Sequence, residues 1–131
     1  MDFLFFLLPA DTGIEGLWQR EGDHFAGCVL RVEKLDTELV GRIAVLPETM
    51  ARAGWIKGDL KWRNITRDSQ GAWRLQDLRK HYDTRTATVL MVDYQEYHLT
   101  TGAAGHLRLH DGSLPFFPAQ RWRRFQPSET S

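Results

Sequence analysis

The sequence predicts an all-β protein: an antiparallel closed barrel of about eight to ten short strands with one short helix. Three observations carry that reading. Short segments with period-2 alternation recur along the chain, separated by Gly, Asp, Asn and Ser turn residues. Only one stretch has a helical pattern, and it is brief. The length of 131 residues, with 42% hydrophobic and 26% charged residues, fits one domain whose core needs no metal or disulfide staple. A barrel is favoured over a sandwich because closure removes the edges that a small sheet would otherwise expose.

The elements follow in chain order. Residues 1–13 read as a hydrophobic arm or the remnant of an export signal, 14–125 as the barrel, and 126–131 as a polar tail. The run Phe3 to Ala10 is the longest apolar stretch, far short of the roughly 20 residues that span a bilayer, so no membrane span is expected. Asp2 directly after Met1 leaves no basic leader, while Leu8-Pro9-Ala10 looks like the end of an export signal. Localisation stays open, periplasmic or secreted as readily as cytoplasmic.

Segment 14–20 leads into the turn Glu21-Gly22-Asp23. In segment 25–34, Val29, Arg31 and Glu33 alternate with Cys28, Leu30 and Val32. Leu35-Asp36-Thr37 then turns the chain into 38–46, which makes a β-hairpin. The helix is predicted over 47–53: Pro47 suits a first turn, Glu48 its positive end, and Gly54 its stop. Strands near 55–57, 59–65, 72–79, 85–93, 95–100, 105–110 and 119–125 complete the set, with Asp68-Ser69-Gln70-Gly71 and Asp111-Gly112-Ser113 as turns.

Composition excludes several classes of function. Seventeen basic residues balance seventeen acidic ones, against the basic excess of a nucleic-acid or membrane-surface binder. In the run 121–125, Arg121 and Arg123 share one strand face and Trp122 takes the other, so they form no single stacking platform. Cys28 alone excludes an internal disulfide and a multi-cysteine zinc site, and a lone buried thiol is usually inert. His106 and His110 have i, i+4 spacing, but on a strand they stand about 13 Å apart, so no metal site is expected. No cofactor is expected either, because no nucleophile-elbow, zincin, dinucleotide or P-loop pattern occurs. Asn64-Ile65-Thr66 is a glycosylation sequon, meaningful only in a eukaryotic secreted protein.

The richest supply of proton-transfer groups is the cluster Arg79 to Asp83 together with Tyr94, Glu96, Tyr97 and His98. His81, Tyr82, Tyr97 and His98 are the acid or base candidates should the barrel be an enzyme. Trp55, Trp62 and Trp73, with Tyr97, are candidates to wall a ligand cavity, the alternative being core filling.

Gly16-Leu17-Trp18 near the start and Trp122-Arg123-Arg124 near the end resemble the G-x-W opening and terminal arginine of lipocalin-like (calycin) barrels. In that resemblance Gly16, Trp18, Trp122 and Arg124 are structural: the tryptophan plugs one end and the arginine packs across its ring. The chain is also similar to a bacterial domain-of-unknown-function family of small lipocalin-like barrels. The likeness runs from Ile14-Glu15-Gly16-Leu17-Trp18 through Glu38 to Ile43, Gly58-Asp59-Leu60, Trp73 and Tyr82-Asp83 to Gln120-Arg121-Trp122-Arg123-Arg124. It departs at Arg74 to Leu78, where that family has a glycine pair. Fatty-acid-binding proteins share the length, but Gln19 to Gly27 is too short for their helix-turn-helix.

These readings lead to an expected function of non-enzymatic binding of a small, largely apolar ligand in the barrel. One alternative is an enzyme that cyclises or isomerises a substrate held in a reactive shape. Another is a partner-binding module that docks through Phe3 to Leu8, which would also suit a homodimer.

Overall fold

The computed structural model describes residues 13–101, 105–111 and 118–127. Eight strands follow one another: β1 (Gly16–Glu21), β2 (Val29–Leu35), β3 (Glu38–Val45), β4 (Leu60–Arg67), β5 (Trp73–Asp83), β6 (Thr88–Thr101), β7 (His106–His110) and β8 (Gln120–Arg124). One short helix, α1 (Glu48–Arg52), lies between β3 and β4. Each strand pairs antiparallel with the next, and β8 returns to β1, so the sheet closes into one barrel. At the closure Trp18 stands opposite Arg124 and Arg20 opposite Trp122. Among the described residues no helix is long and apolar enough to cross a membrane. The predicted arm lies outside the described residues except for Gly13, as do the end of the tail and the Gly112-Ser113 part of one turn.

The hairpin predicted between 25–34 and 38–46 is β2–β3, turned at Asp36 with φ +58°. The Asp68 turn also forms, because the Asp68 carboxylate accepts the Gln70 and Ala72 amides at 2.9 Å each, which holds that acid below its ordinary pKa. Two segments differ from expectation. Residues 55–57 belong to no strand, and the predicted strands 85–93 and 95–100 are a single strand, β6. The first half of β6 is exposed on both faces, so it lacks the in-and-out alternation by which a strand is recognised.

The barrel interior is filled. Trp62 and Trp122 meet edge to face, with ring centroids 4.8 Å apart and planes at 70°. Leu30, Ile43, Leu75 and Leu107 pack around them. Trp18 plugs the end where β1 begins, next to Ile14. At the opposite end α1 and the loop 53–59 bridge β3 and β4. The helix is anchored by Met50, which is fully buried. Its Glu48–Arg52 pair is exposed on both sides and contributes little. Gly54 ends the helix at φ +93°, and a Cβ there would stand 2.5 Å from the Tyr82 ring, so only glycine suits both the backbone and the contact.

Candidate functional site

The end opposite Trp18 holds a cavity of about 230 Å³. Its aromatic walls are Phe25 from the β1–β2 loop, Trp55 from the loop after α1, and Tyr97 from β6. Its polar floor is Arg20, Lys61, Asp77 and Gln120, all buried. Such groups are rarely buried without partners.

Here every one is partnered. The Lys61 amine donates to Asp77 Oδ1 and to the Leu78 carbonyl, at 2.7 Å each, and sits 4.9 Å from the Trp55 ring centroid. Gln120 Nε2 donates to Asp77 Oδ2 at 3.1 Å, and the Trp122 indole N–H donates to Gln120 Oε1 at 3.0 Å. One hydrogen-bonded chain therefore runs from the central tryptophan to the ion pair. Lys80 lies on the other strand edge of the mouth, donating to Asp59 Oδ2 at 2.7 Å and to the Gly54 carbonyl at 2.8 Å. Its amine also sits 4.9 Å from the Trp55 centroid, so one indole serves two ammonium groups. The Arg20 guanidinium bonds Asp23 through Nε at 2.9 Å and Nη2 at 2.8 Å, and lies 5.3 Å from the Phe25 ring.

Burial governs the titration of these groups. It pulls the Lys61 amine below its ordinary value, while the Asp77 carboxylate pulls it back up. It raises the Tyr97 phenol, with the Asp77 charge acting in the same direction. Cys28 is buried beside the network, and its thiol is pushed up to about 12 by burial, against the lowering charges of Lys61 and Arg20.

Comparison with protein-family models, curated proteins and solved structures finds no match.

The residues singled out in the sequence separate in space. Trp55 and Tyr97 do meet at the cavity. Trp62 is fully buried in the core, and Trp73 stands at the plugged end with the Arg67 guanidinium 5.2 Å from its ring. The four acid or base candidates do not converge. His81 is exposed and shares Asp93 with Arg79, at 3.0 Å for each nearest contact. Those two partners hold the Asp93 carboxyl below its usual range. Tyr82 packs against Gly54, and His98 follows Tyr97 directly and so takes the opposite face of β6. Gly16, Trp18 and Arg124 meet at the plug, where the guanidinium lies 4.0 Å from the Trp18 ring centroid. Lys61, Asp77, Gln120 and Arg20 gave no signal in the sequence. Among the described residues no group of three or more His, Cys, Asp or Glu could hold a metal ion.

The Cys28 environment makes a direct prediction. The native thiol should not react with an aromatic disulfide reagent at pH 8 over the time in which denatured protein reacts completely. Its folded pKa lies above the unfolded 9.0, so its contribution to stability is complete below pH 9.0 and lost as pH climbs toward about 12. Between pH 8 and pH 10 that loss is about 1.4 kcal/mol. Lys61, lowered from 10.5, acts oppositely over the interval below 10.5, and Tyr97, raised from 10.0, adds to the loss above it. The difference between wild type and Cys28→Ala isolates the thiol. Urea midpoints at the two pH values should show the variant losing less stability by that amount. An equal loss in both proteins would refute the assignment.

Proposed function

We propose that the protein binds one small, uncharged, largely apolar molecule at the open end of the barrel and does not transform it. The observation that carries this reading is the buried Lys61–Asp77 pair on the cavity floor. A pair of packed apolar residues would serve the fold as well or better, because desolvating two charges commonly offsets their attraction. Polar groups held at the bottom of an aromatic-walled cavity are what orients a small ligand. The lack of net charge follows from matching: Arg20, Lys61, Arg79 and Lys80 around the cavity are paired with Asp23, Asp77, Asp93 and Asp59. A charged ligand would have to displace one of those partners. The dispersal of His81, Tyr82, Tyr97 and His98 favours binding over catalysis. The filled interior supports a ligand at the mouth, resting on Trp55 and Tyr97, and not one enclosed against Trp62.

The test is a matched pair of probes, 1-naphthol and 1-naphthoate, titrated by tryptophan quenching. Naphthol should bind with Kd in the micromolar range, and naphthoate at least tenfold more weakly. Trp55→Leu should abolish the naphthol signal while the protein stays folded. Tighter binding of naphthoate would overturn the uncharged class, and failure of both probes would overturn the site.

A further inference from the structure

The β5–β6 hairpin is longer than the barrel wall that supports it. β4 accompanies β5 only as far as Asp77, and β7 accompanies β6 only from His98 onward. Beyond those points β5 and β6 continue together, from Leu78–Tyr94 out to Asp83–Thr88. A two-stranded ribbon is marginal in water without further support. On the β5 side that support exists, because Lys80 bonds Asp59 and Gly54, and Tyr82 lies against Gly54. On the β6 side, among the described residues, no strand pairs with Thr88 to Tyr94.

That free edge carries the largest cluster of exposed apolar side chains among the described residues. Val89, Leu90, Met91, Val92 and Tyr94 are between 40% and 66% exposed. Natural edge strands are usually guarded by lysine, proline or an unpaired charge. From Thr88 to Tyr94 there is no lysine and no proline. The one charged residue, Asp93, is already paired with Arg79 and in contact with His81 of its own hairpin.

We infer that this edge pairs with the same edge of a second copy of the chain, two-fold and antiparallel, centred on Leu90. Two features select a second copy over an unlike strand. Facing residues of a two-fold antiparallel pair share one side-chain face, so the pair centres on a residue. Centred on Leu90, it sets Leu90 opposite its own copy, Val89 opposite Met91 and Thr88 opposite Val92, apolar against apolar at the centre on both faces. The same register sets Asp93 opposite Ala87, so the two copies' carboxylates stand about 20 Å apart along the strands, beyond the ~8 Å screening length of physiological salt. The edge offers no unpaired charge by which an unlike partner would be chosen. This inference is independent of the ligand reading, since neither Leu90 nor Met91 lines the cavity.

The experiment is sedimentation of the full chain from about 1 to 100 µM, with hydrogen exchange measured across the same series. A concentration-dependent dimer is expected, with the amides of Thr88 to Tyr94 exchanging more slowly as it forms. Leu90→Lys and Met91→Lys should each weaken association at least tenfold and leave the melting temperature and naphthol affinity unchanged. A wild-type monomer at 100 µM would overturn the inference. So would a dimer whose dissociation constant is the same in both lysine variants. Loss of the dimer on deleting residues 1–10, with the lysine variants unaffected, would also overturn it and assign the contact to Phe3 to Leu8.

Discussion

Replacing Trp18 by alanine is expected to cost the barrel roughly 3–5 kcal/mol, the range for truncating a large buried aromatic. For a chain of this length that is a fall in Tm of about 10–20 °C. Three contacts are lost together. The buried ring leaves a cavity at the barrel's end, the indole N–H no longer donates to the Ile14 carbonyl at 2.9 Å, and the Arg124 guanidinium loses the ring beneath it. Arg124 is itself held in place, donating to the Glu15 carbonyl at 2.6 Å and the Gly13 carbonyl at 2.9 Å. A Cβ on Gly16 would stand 2.7 Å from Arg124 Nη1, so the glycine, the tryptophan and the arginine form one unit. Arg124→Leu should be milder, roughly 1–2 kcal/mol, from the cation–π contact and two carbonyl acceptors. The two losses should be less than additive in a double-mutant cycle. A Trp18→Ala protein melting within a few degrees of wild type would refute the plug.

Asp77→Leu is expected to destabilise by roughly 3–5 kcal/mol, because it strands the buried Lys61 ammonium without its counter-charge. Gln120 loses an acceptor at the same time, although it keeps the Trp122 indole N–H. The informative comparison is the double variant Lys61→Met with Asp77→Leu. Removing both charges should restore most of the stability, or exceed wild type, while naphthol affinity falls. Urea midpoints and the naphthol titration measured on the same preparations separate the two effects. If the double variant is as unstable as the single one, the pair is structural. If it retains full naphthol affinity, the cavity floor has no part in binding.

Much of the fold could be read from the chain, because local rules and tertiary structure agree there. The β2–β3 hairpin, the Asp68 turn, the helix ended by Gly54 and the Trp18–Arg124 plug all carry their physical cause in a few adjacent residues or one complementary pair. The binding floor could not be read in this way. Lys61 and Trp62 are both buried though adjacent, since β4 pairs irregularly with both neighbours and Asn64 takes φ +51°. Alternation therefore fails at that point. A lysine and an aspartate are almost always solvent-facing, so nothing in their own chemistry marks Lys61 and Asp77 as interior. The tryptophans mislead for the opposite reason: hydrophobicity says that Trp55, Trp62 and Trp73 are covered, but not whether by core, cavity or the plugged end. His81 and Tyr97 come from neighbouring strands of one hairpin, yet the length of the ribbon carries His81 away from the cavity.

The seam between β1 and β8 has a consequence for how the chain is made and how it folds. Arg124 must return across almost the whole sequence to reach Trp18, and β1 has only β2 to pair with until residues 120–124 are synthesised. Closing so long a loop carries an entropic cost that is met before its contacts form, and such high contact order slows folding. The nascent chain can form hairpins on the ribosome, but the native barrel is reachable only once residues 120–124 have emerged. A truncation that removes the last strand is accordingly not a local loss, because it leaves β1 and β7 as open edges and uncovers the plug.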